Sequence, residues 1–152
     1  MKKYEFTGET KRVELWNRTA TLHRIKATVE FGFVKVGELG GWIEKEENLS
    51  HEGKAWVCGD AEVCGDAKVC GDAEVFLASH VLVMGSVGSR NDFTTFFRDK
   101  DNEITVKCGC FLGKIDKFLE KVTQTHGNNK YALVYRAAVE VAKLQIELTE
   151  RK

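Results

Sequence analysis

The sequence predicts a mainly β fold: a left-handed parallel β-helix of hexapeptide repeats, followed by a carboxyl-terminal α+β module made of a β-hairpin and two helices. Three observations predict it. Valine recurs every six residues within 55–90, Gly-Asp pairs recur at the same interval, and the chain of 152 residues has 14 glycines but no proline. A chain that turns often without proline depends on glycine, asparagine and aspartate for its turns, and this favours a repeat.

The repeat consists of six-residue units from residue 55 that read AWVCGD, AEVCGD, AKVCGD, AEVFLA, SHVLVM and GSVGSR. We expect the Gly-Asp pairs at 59–60, 65–66 and 71–72 to form corners, because both residue types tolerate a left-handed backbone. Three units would make one triangular coil, and coils would stack about 4.8 Å apart. The valines predicted to fill the interior are Val57, Val63, Val69, Val75, Val81 and Val87.

The region upstream of the regular units is predicted to form degenerate coils of the same β-helix, which would then span 22–90. The positions that again fall six residues apart are Ile25, Phe31, Gly37, Ile43 and Leu49. The alternative is a set of ordinary strands with a chance spacing. Residues 1–21 are predicted to close the amino end as a cap, and residues 91–152 to form the α+β module.

Two strands and two helices are predicted in the module. Residues 92–97 and 104–108 are rich in aromatic and β-branched residues, and the turn segment 99–102 between them predicts a hairpin. Residues 114–125 carry an apolar helical stripe that ends at Gly127, a typical left-handed cap. A second helix is predicted over 130–150.

The second helix carries two apolar stripes. One stripe, with 3-4-3-4 spacing, consists of Val134, Ala137, Val141, Leu144 and Leu148. The neighbouring stripe consists of Tyr131, Tyr135, Ala138 and Ala142. Together they are wider than one small hairpin needs. Either one stripe covers the hairpin and the other a neighbouring subunit, or both belong to one broad core face.

Composition excludes several classes of protein. A balance of 23 basic and 23 acidic residues argues against a polybasic nucleic-acid binder that relies on bulk electrostatics. No run of about 18 apolar residues exists, so no membrane span is expected. The start of the chain lacks a signal-like apolar segment, and the five cysteines have no secreted-framework spacing. We therefore expect a cytoplasmic protein with free thiols.

No metal or cofactor is expected. Cys108 and Cys110 would share one face of a strand but lack a second pair nearby. Asp60, Asp66 and Asp72 would lie on different faces of a β-helix, so turn formation explains them better than calcium binding. The sequence contains no P-loop, GxGxxG, HExxH or GxSxG motif.

Several long segments resemble a known family. LGGWIEKEENLSHEGKAWV with the AxVxGD units after it, and then GSRNDFTTFFRDKD, VKCGCFLGKIDKFLEKV and THGNNKYALVYRAAVEVAKL, are similar to hexapeptide-repeat proteins found widely in phages, prophages and gut bacteria. The resemblance covers nearly the whole chain. It implies a left-handed β-helix, usually a homotrimer, with an α+β carboxyl module, in the cytoplasm of a bacterial host. It implies no established activity.

A trimer of this kind would have clefts between its subunits that suit a ligand. Arg and Lys with Ser and Asn fit a phosphate or carboxylate, and tryptophan can stack a base. The candidate ligand-binding residues are Ser89, Arg90, Asn91, Thr94, His126, Asn128, Lys130, Trp42 and Trp56. By analogy with phage inhibitors of host defence, we expect a non-enzymatic homotrimer that sequesters a small, anionic, nucleotide-like immune signal. Alternatively, GSRND only turns the chain and HGNNK only caps a helix.

Two other functions stay open. The first is a structural or protein-interaction trimer whose carboxyl helices dock a protein partner. The second is a hexapeptide-repeat acyltransferase, which would need a histidine base in a cleft between subunits. Its candidate bases are His23, His51, His80 and His126. The excursion loop and the many coils that such enzymes use for their substrates are missing from 55–90.

Overall fold

The described part of the chain contains ten β-strands, two α-helices and two short 3-10 helices, Glu46–Asn48 and Ala78–His80. The structure, a computed structural model, describes residues 2–15, 17–87, 92–146 and 148. In chain order its elements are β1 (Tyr4–Glu14), β2 (Thr19–Ala27), β3 (Leu39–Ile43), β4 (Trp56–Val57), β5 (Glu62–Val63), β6 (Glu74–Val75), β7 (Val81–Val87), β8 (Asp92–Arg98), β9 (Ile104–Cys108), β10 (Phe111–Lys114), α1 (Ile115–His126) and α2 (Lys130–Gln145). We call the described residues up to His80 the amino-terminal region and those from Val81 onward the carboxyl-terminal region. No helix in these described segments has the length and apolar character needed to span a bilayer.

The amino-terminal region contains a four-stranded sheet with the order β1-β2-β3-β5. β1 and β2 form a long antiparallel hairpin with an irregularity between Phe6 and Thr10. Gly8 lies in this bulge with φ of 95°, a backbone conformation that favours glycine. β3 pairs antiparallel with β2 and parallel with the two-residue strand β5.

The repeated units contribute the small side chains of this region's core. Of the six valines predicted to fill the interior, Val57, Val63, Val69 and Val75 are fully or almost fully buried in it. The prediction is wrong for the last two: Val81 and Val87 lie half-buried in β7, and Val87 packs against the carboxyl-terminal core. The glycines of the Gly-Asp pairs, Gly59, Gly65 and Gly71, have φ values of 56°, 65° and 64°. The prediction that these pairs turn the chain through a left-handed backbone is therefore confirmed.

The predicted left-handed parallel β-helix is nevertheless wrong. The sheets do not close into a solenoid, and most strand pairs are antiparallel. Between named strands, parallel pairing is limited to β3 with β5 and β4 with β6. Upstream, the chain folds β2 back onto β3 instead of continuing around an axis. Downstream, the Gly-Asp corners end at residue 72, and the β-branched run VLVMGSV forms one continuous strand, β7.

The carboxyl-terminal region is a four-stranded antiparallel sheet covered by two helices. The predicted strands and helices of this region correspond to β8, β9, α1 and α2, although α2 ends earlier than predicted. The sheet is wider than the predicted hairpin, because β7 and β10 add its two edges in the order β10-β9-β8-β7. Gly127 has φ of 60°, and its N–H donates to the Thr123 carbonyl at 2.9 Å, so it ends α1 as expected.

One sheet serves both cores. Leu82 of β7 packs against the core under the helices, whereas Val83 packs against the amino-terminal core. The neighbouring β8 divides in the same way, with Phe96 in the carboxyl-terminal core and Phe97 in the amino-terminal core. This follows from strand geometry, since successive side chains point to opposite faces.

Candidate ligand-binding cavity

A cavity of about 140 Å³ lies between the β9–β10 turn and the two helices. It is held in place by the antiparallel register of β9 and β10, in which Cys108 is opposite Phe111. α1 follows β10 directly and lays its second half along the cavity. The lining residues are Asp92, Cys108, Gly109, Cys110, Phe111, Phe118, Lys121, Val122, Thr125, His126 and Tyr135.

Three aromatic side chains form an apolar floor. The Phe111 and Phe118 rings lie 5.5 Å apart, and Phe118 meets Tyr135 edge-to-face at 5.5 Å and 89°. Edge-to-face contacts of this kind fix ring orientation and contribute about 0.5–1.5 kcal/mol beyond the buried area. The floor is therefore closely packed, since Phe118 and Tyr135 are also almost fully buried.

The rim of the cavity carries basic and imidazole groups. Lys121 is exposed and is in no ion pair among the residues that the structure describes. One turn earlier on the same helix, Lys117 instead pairs with Glu120 at 3.3 Å. The His126 ring is stacked near Tyr135 at 5.9 Å and 24°. An unpaired ammonium beside an aromatic floor is a suitable place for an anionic group attached to a flat ring.

Two thiols lie in the wall opposite α1. The Thr94 hydroxyl donates to the Cys108 sulfur at 3.3 Å, which fixes that side chain. Gly109, with φ of 57°, turns the chain so that the exposed Cys110 also borders the cavity. Within the described ranges, no group of three or more Cys, His, Asp or Glu side chains is arranged to hold a metal ion.

The structure brings several sequence-predicted residues to this end of the molecule. His126 lines the cavity, and Thr94 lies buried directly behind Cys108. Asn128 accepts a hydrogen bond from Arg136 at 3.2 Å, which holds the α1–α2 turn. Lys130 is exposed at the start of α2. The predicted residues Ser89, Arg90 and Asn91 lie outside the described residues.

The two predicted tryptophans lie elsewhere, in the amino-terminal region. Trp56 is fully buried, and its ring occupies the space left by the missing side chain of Gly40, where a Cβ would lie 2.6 Å from it. Trp42 is 6% exposed, with Lys11 4.5 Å and Arg24 5.3 Å from its ring. Neither ring has a free face on which a base could stack.

Sequence reasoning missed most of the cavity. Phe118 stood out only as one member of an apolar stripe, and Phe111 had no assigned role, because β10 was not predicted. The signal that could have found the site is the CGC turn followed by an aromatic residue, since a tight turn presents its neighbours on one side of a sheet. Lys121 gave no signal of its own in the sequence.

Two of the candidate catalytic histidines have structural roles. His51 Nδ1 accepts the Lys3 backbone N–H at 3.0 Å, and burial lowers the pKa of His51. His80 Nδ1 accepts the backbone N–H groups of Phe76 and Leu77 at 3.0 and 3.2 Å. In both rings Nδ1 accepts backbone N–H groups, which places the proton of the neutral ring on Nε2 and leaves no free lone pair for a general base.

The comparisons with known proteins identify no relative from which a function could be inferred. No protein-family model matches the chain, and no curated protein is significantly similar to it. The family resemblance seen in the sequence stays a prediction, and the fold that it implied is not the one observed.

Proposed function

We propose that this protein is a non-enzymatic binding protein for a small anionic ligand of the nucleotide class, with the flat ring of the ligand in the cavity beside α1. One observation carries the proposal: Lys121, which has no ion-pair partner among the described residues, stands at the rim of a cavity whose floor is aromatic and closely packed. Pockets that combine an apolar lining with a few polar groups are the usual form of small-molecule sites.

The size of the cavity limits what it could enclose. Sites that enclose a whole drug-sized ligand measure about 300–1,000 Å³, whereas this one measures about 140 Å³. A single planar ring system would fill it, and the sugar and phosphate would remain at the rim. There Lys121 would attract the phosphate as a point charge, and His126 and Thr125 would supply polar contacts.

Asp92 bears on which base the cavity would prefer. Its carboxylate lines the cavity and accepts the backbone N–H of Phe93 at 2.8 Å. A carboxylate repels phosphate but accepts hydrogen bonds from an exocyclic amine. We therefore expect adenine or cytosine rings to bind better than uracil.

The direct test is isothermal titration calorimetry with AMP, CMP, GMP and UMP, together with native mass spectrometry of the same mixtures. The expected result is one ligand per subunit and an affinity that falls with added salt, because the lysine contact is electrostatic. Lys121→Met should weaken binding at least tenfold, or about 1.4 kcal/mol. Lys117→Met is the matched control and should leave the affinity unchanged.

Two outcomes would contradict the proposal. One is the absence of binding by all four nucleotides at millimolar concentration. The other is an equal loss of affinity in Lys121→Met and Lys117→Met, which would assign any binding to general surface charge. Unfolding curves of both variants show whether a loss of binding is a loss of fold.

Protein interaction is the second candidate function, because α2 exposes large apolar side chains on its outer face. These include Leu133 and Leu144. The predicted trimeric prism depended on a β-helix, so clefts between three subunits are not part of the proposal. Sequestration of a host immune signal stays a prediction, which a panel of cyclic nucleotides in the same titrations would test.

A further inference from the structure

The outer face of α2 is apolar, and no residue that the structure describes covers it. Leu133, Ala137, Val141 and Leu144 follow one another at intervals of four, four and three residues, so they lie along one side of the helix. We call these four residues the outer stripe. Leu144 is 87% exposed, Leu133 61% and Val141 44%. Isolated apolar residues on a surface are common, but a continuous helical stripe marks an interaction site.

The opposite face of the same helix already packs against the sheet. Tyr135, Val139, Ala142 and Ile146 are almost fully buried in the carboxyl-terminal core. The sequence left open whether the two apolar stripes of this helix form one core face, and the structure separates them. A helix that is apolar on both faces is normally covered on both.

We infer that the outer stripe packs against the outer stripe of a second copy, with the two α2 helices antiparallel. A two-fold interface requires a surface that complements itself. The flank of the stripe carries Arg136, Glu140 and Lys143, in the charge order plus, minus, plus; within the chain, Lys143 lies 3.5 Å from Glu140 and Arg136 donates to the Gly127 carbonyl. Antiparallel helices bring this flank against the same flank of the partner, and an offset of about half a turn sets each Glu140 beside a basic residue of the partner.

Packing geometry favours the same arrangement. Ala137 is the smallest side chain of the outer stripe and lies near its middle, so two helices can approach closely there, at about 8 Å between axes. Leu133 and Leu144 would then interdigitate on either side of the crossing. Antiparallel alignment also places the partial positive end of each helix near the negative end of the other.

The area available for this contact is small. Covering the outer stripe and its borders on both copies removes on the order of 1,000 Å² from water, the lower limit for a specific interface. We therefore expect a reversible dimer with micromolar affinity. The outer stripe lies on the opposite side of α2 from Tyr135 and the cavity, so this association is independent of the proposed ligand binding.

Sedimentation equilibrium of the full chain between about 1 and 200 µM tests the inference. The wild type should shift from monomer to dimer across this range, and Leu144→Glu should weaken dimerisation at least tenfold, because it places a carboxylate in the contact. Val36→Glu is the matched control, since Val36 is 65% exposed in the loop after β2, far from α2 in sequence. It should leave the association constant unchanged.

Orientation is tested by oxidative cross-linking. In an antiparallel pair the middle of the helix meets itself and the ends do not, so Ala137→Cys should form a disulfide-linked dimer much faster than Lys130→Cys or the wild type. Equal cross-linking of both variants would indicate parallel helices and overturn the arrangement. A monomer at all concentrations, or a trimer, would overturn the inference itself. Nucleotide titration of Leu144→Glu should still give the wild-type affinity.

Discussion

The two regions of the molecule hold their parts together by different means. The amino-terminal region has a core in which alanines and valines of the repeat surround the buried Trp56 and Tyr4, and its loops are fastened by buried polar groups such as Asn48 and Lys3. The carboxyl-terminal region relies on large rings and amphipathic helices, with Phe96 and Phe118 meeting edge-to-face at 6.4 Å and 88°. Small repeated side chains bury little apolar area each, so hydrogen bonds are needed to fix the path of the chain. Aromatic rings bury more area and prefer particular arrangements, so their packing also fixes how the sheet and the helices are oriented.

Buried hydrogen bonds are dense in the amino-terminal region. The Asn48 side chain accepts the N–H groups of Glu44 and Lys45 at 3.1 and 2.9 Å. Its amide donates to the carbonyls of Gly65 and Ala67 at 3.0 and 2.9 Å. One side chain thus joins two loops that are distant in sequence.

The largest effect should come from the aromatic core. Phe118→Ala removes a ring that contacts Phe96, Phe111 and Tyr135, and it should lower the free energy of unfolding by about 4 kcal/mol. Guanidinium unfolding measures this. Phe93→Ala, a ring that is 40% exposed on the same sheet, should cost less than half as much. Equal losses would show that aromatic packing does not dominate this region.

Asn48→Ala should have the next largest effect. It removes all four hydrogen bonds of a fully buried side chain, including the buried one to the Ala67 carbonyl, and we expect a loss of about 3 kcal/mol in the same assay. Asn128→Ala is the control, because Asn128 is exposed and its side chain bonds only to Arg136 among the described contacts. If both variants lose less than about 0.5 kcal/mol, the polar clamp is not a source of stability.

Acidification should weaken the amino-terminal region by a smaller amount. Burial lowers the pKa of His51 below its ordinary value of 6.5, so the unfolded chain binds the proton more readily than the folded chain. The stability contributed by neutral His51 is therefore present above pH 6.5 and lost as the pH falls below it. Urea unfolding between pH 7 and pH 5 should show a steeper decline in the wild type than in His51→Gln. Parallel curves would exclude His51 as a source of the pH dependence.

The smallest expected effect is a difference in the rate of alkylation between the thiols of the two regions. Burial raises the pKa of Cys58 to about 12, and it also raises the pKa values of Cys64 and Cys70. These thiols are protonated near neutral pH and should react slowly, because the thiolate is the nucleophile. Cys110 is exposed. Mass spectrometry after brief iodoacetamide treatment at pH 8 should find Cys110 alkylated at least tenfold faster than Cys58, and the reverse order would contradict the burial of the repeated units.

Side-chain periodicity predicted burial better than it predicted strand pairing. The six-residue spacing of Val57, Val63, Val69 and Val75 correctly placed them inside, because it reports which side chains point inward. It could not report strand direction, since side chains alternate in the same way in parallel and antiparallel sheets. The direction depends on where the chain reverses. In this protein the chain reverses before β3, and the Gly-Asp corners stop before β7. These two features make most of the strand pairs antiparallel.

The candidate site was predictable only in part, for a related reason. His126 could be identified from the turn between two helices, because that turn is a local feature of the sequence. Phe111 and Lys121 meet only after β10 pairs with β9 and α1 folds back over them. Trp42 and Trp56 suggested stacking surfaces, but Gly40 leaves room for the Trp56 ring inside the core.

The sheet made by β7 and β8 has a consequence for cooperativity. Leu82 and Phe96 belong to one core, and Val83 and Phe97 belong to the other. Unfolding of β7 and β8 would therefore expose the apolar side chains of both cores at once. Heat should therefore melt the whole molecule in one transition, with equal calorimetric and van't Hoff enthalpies.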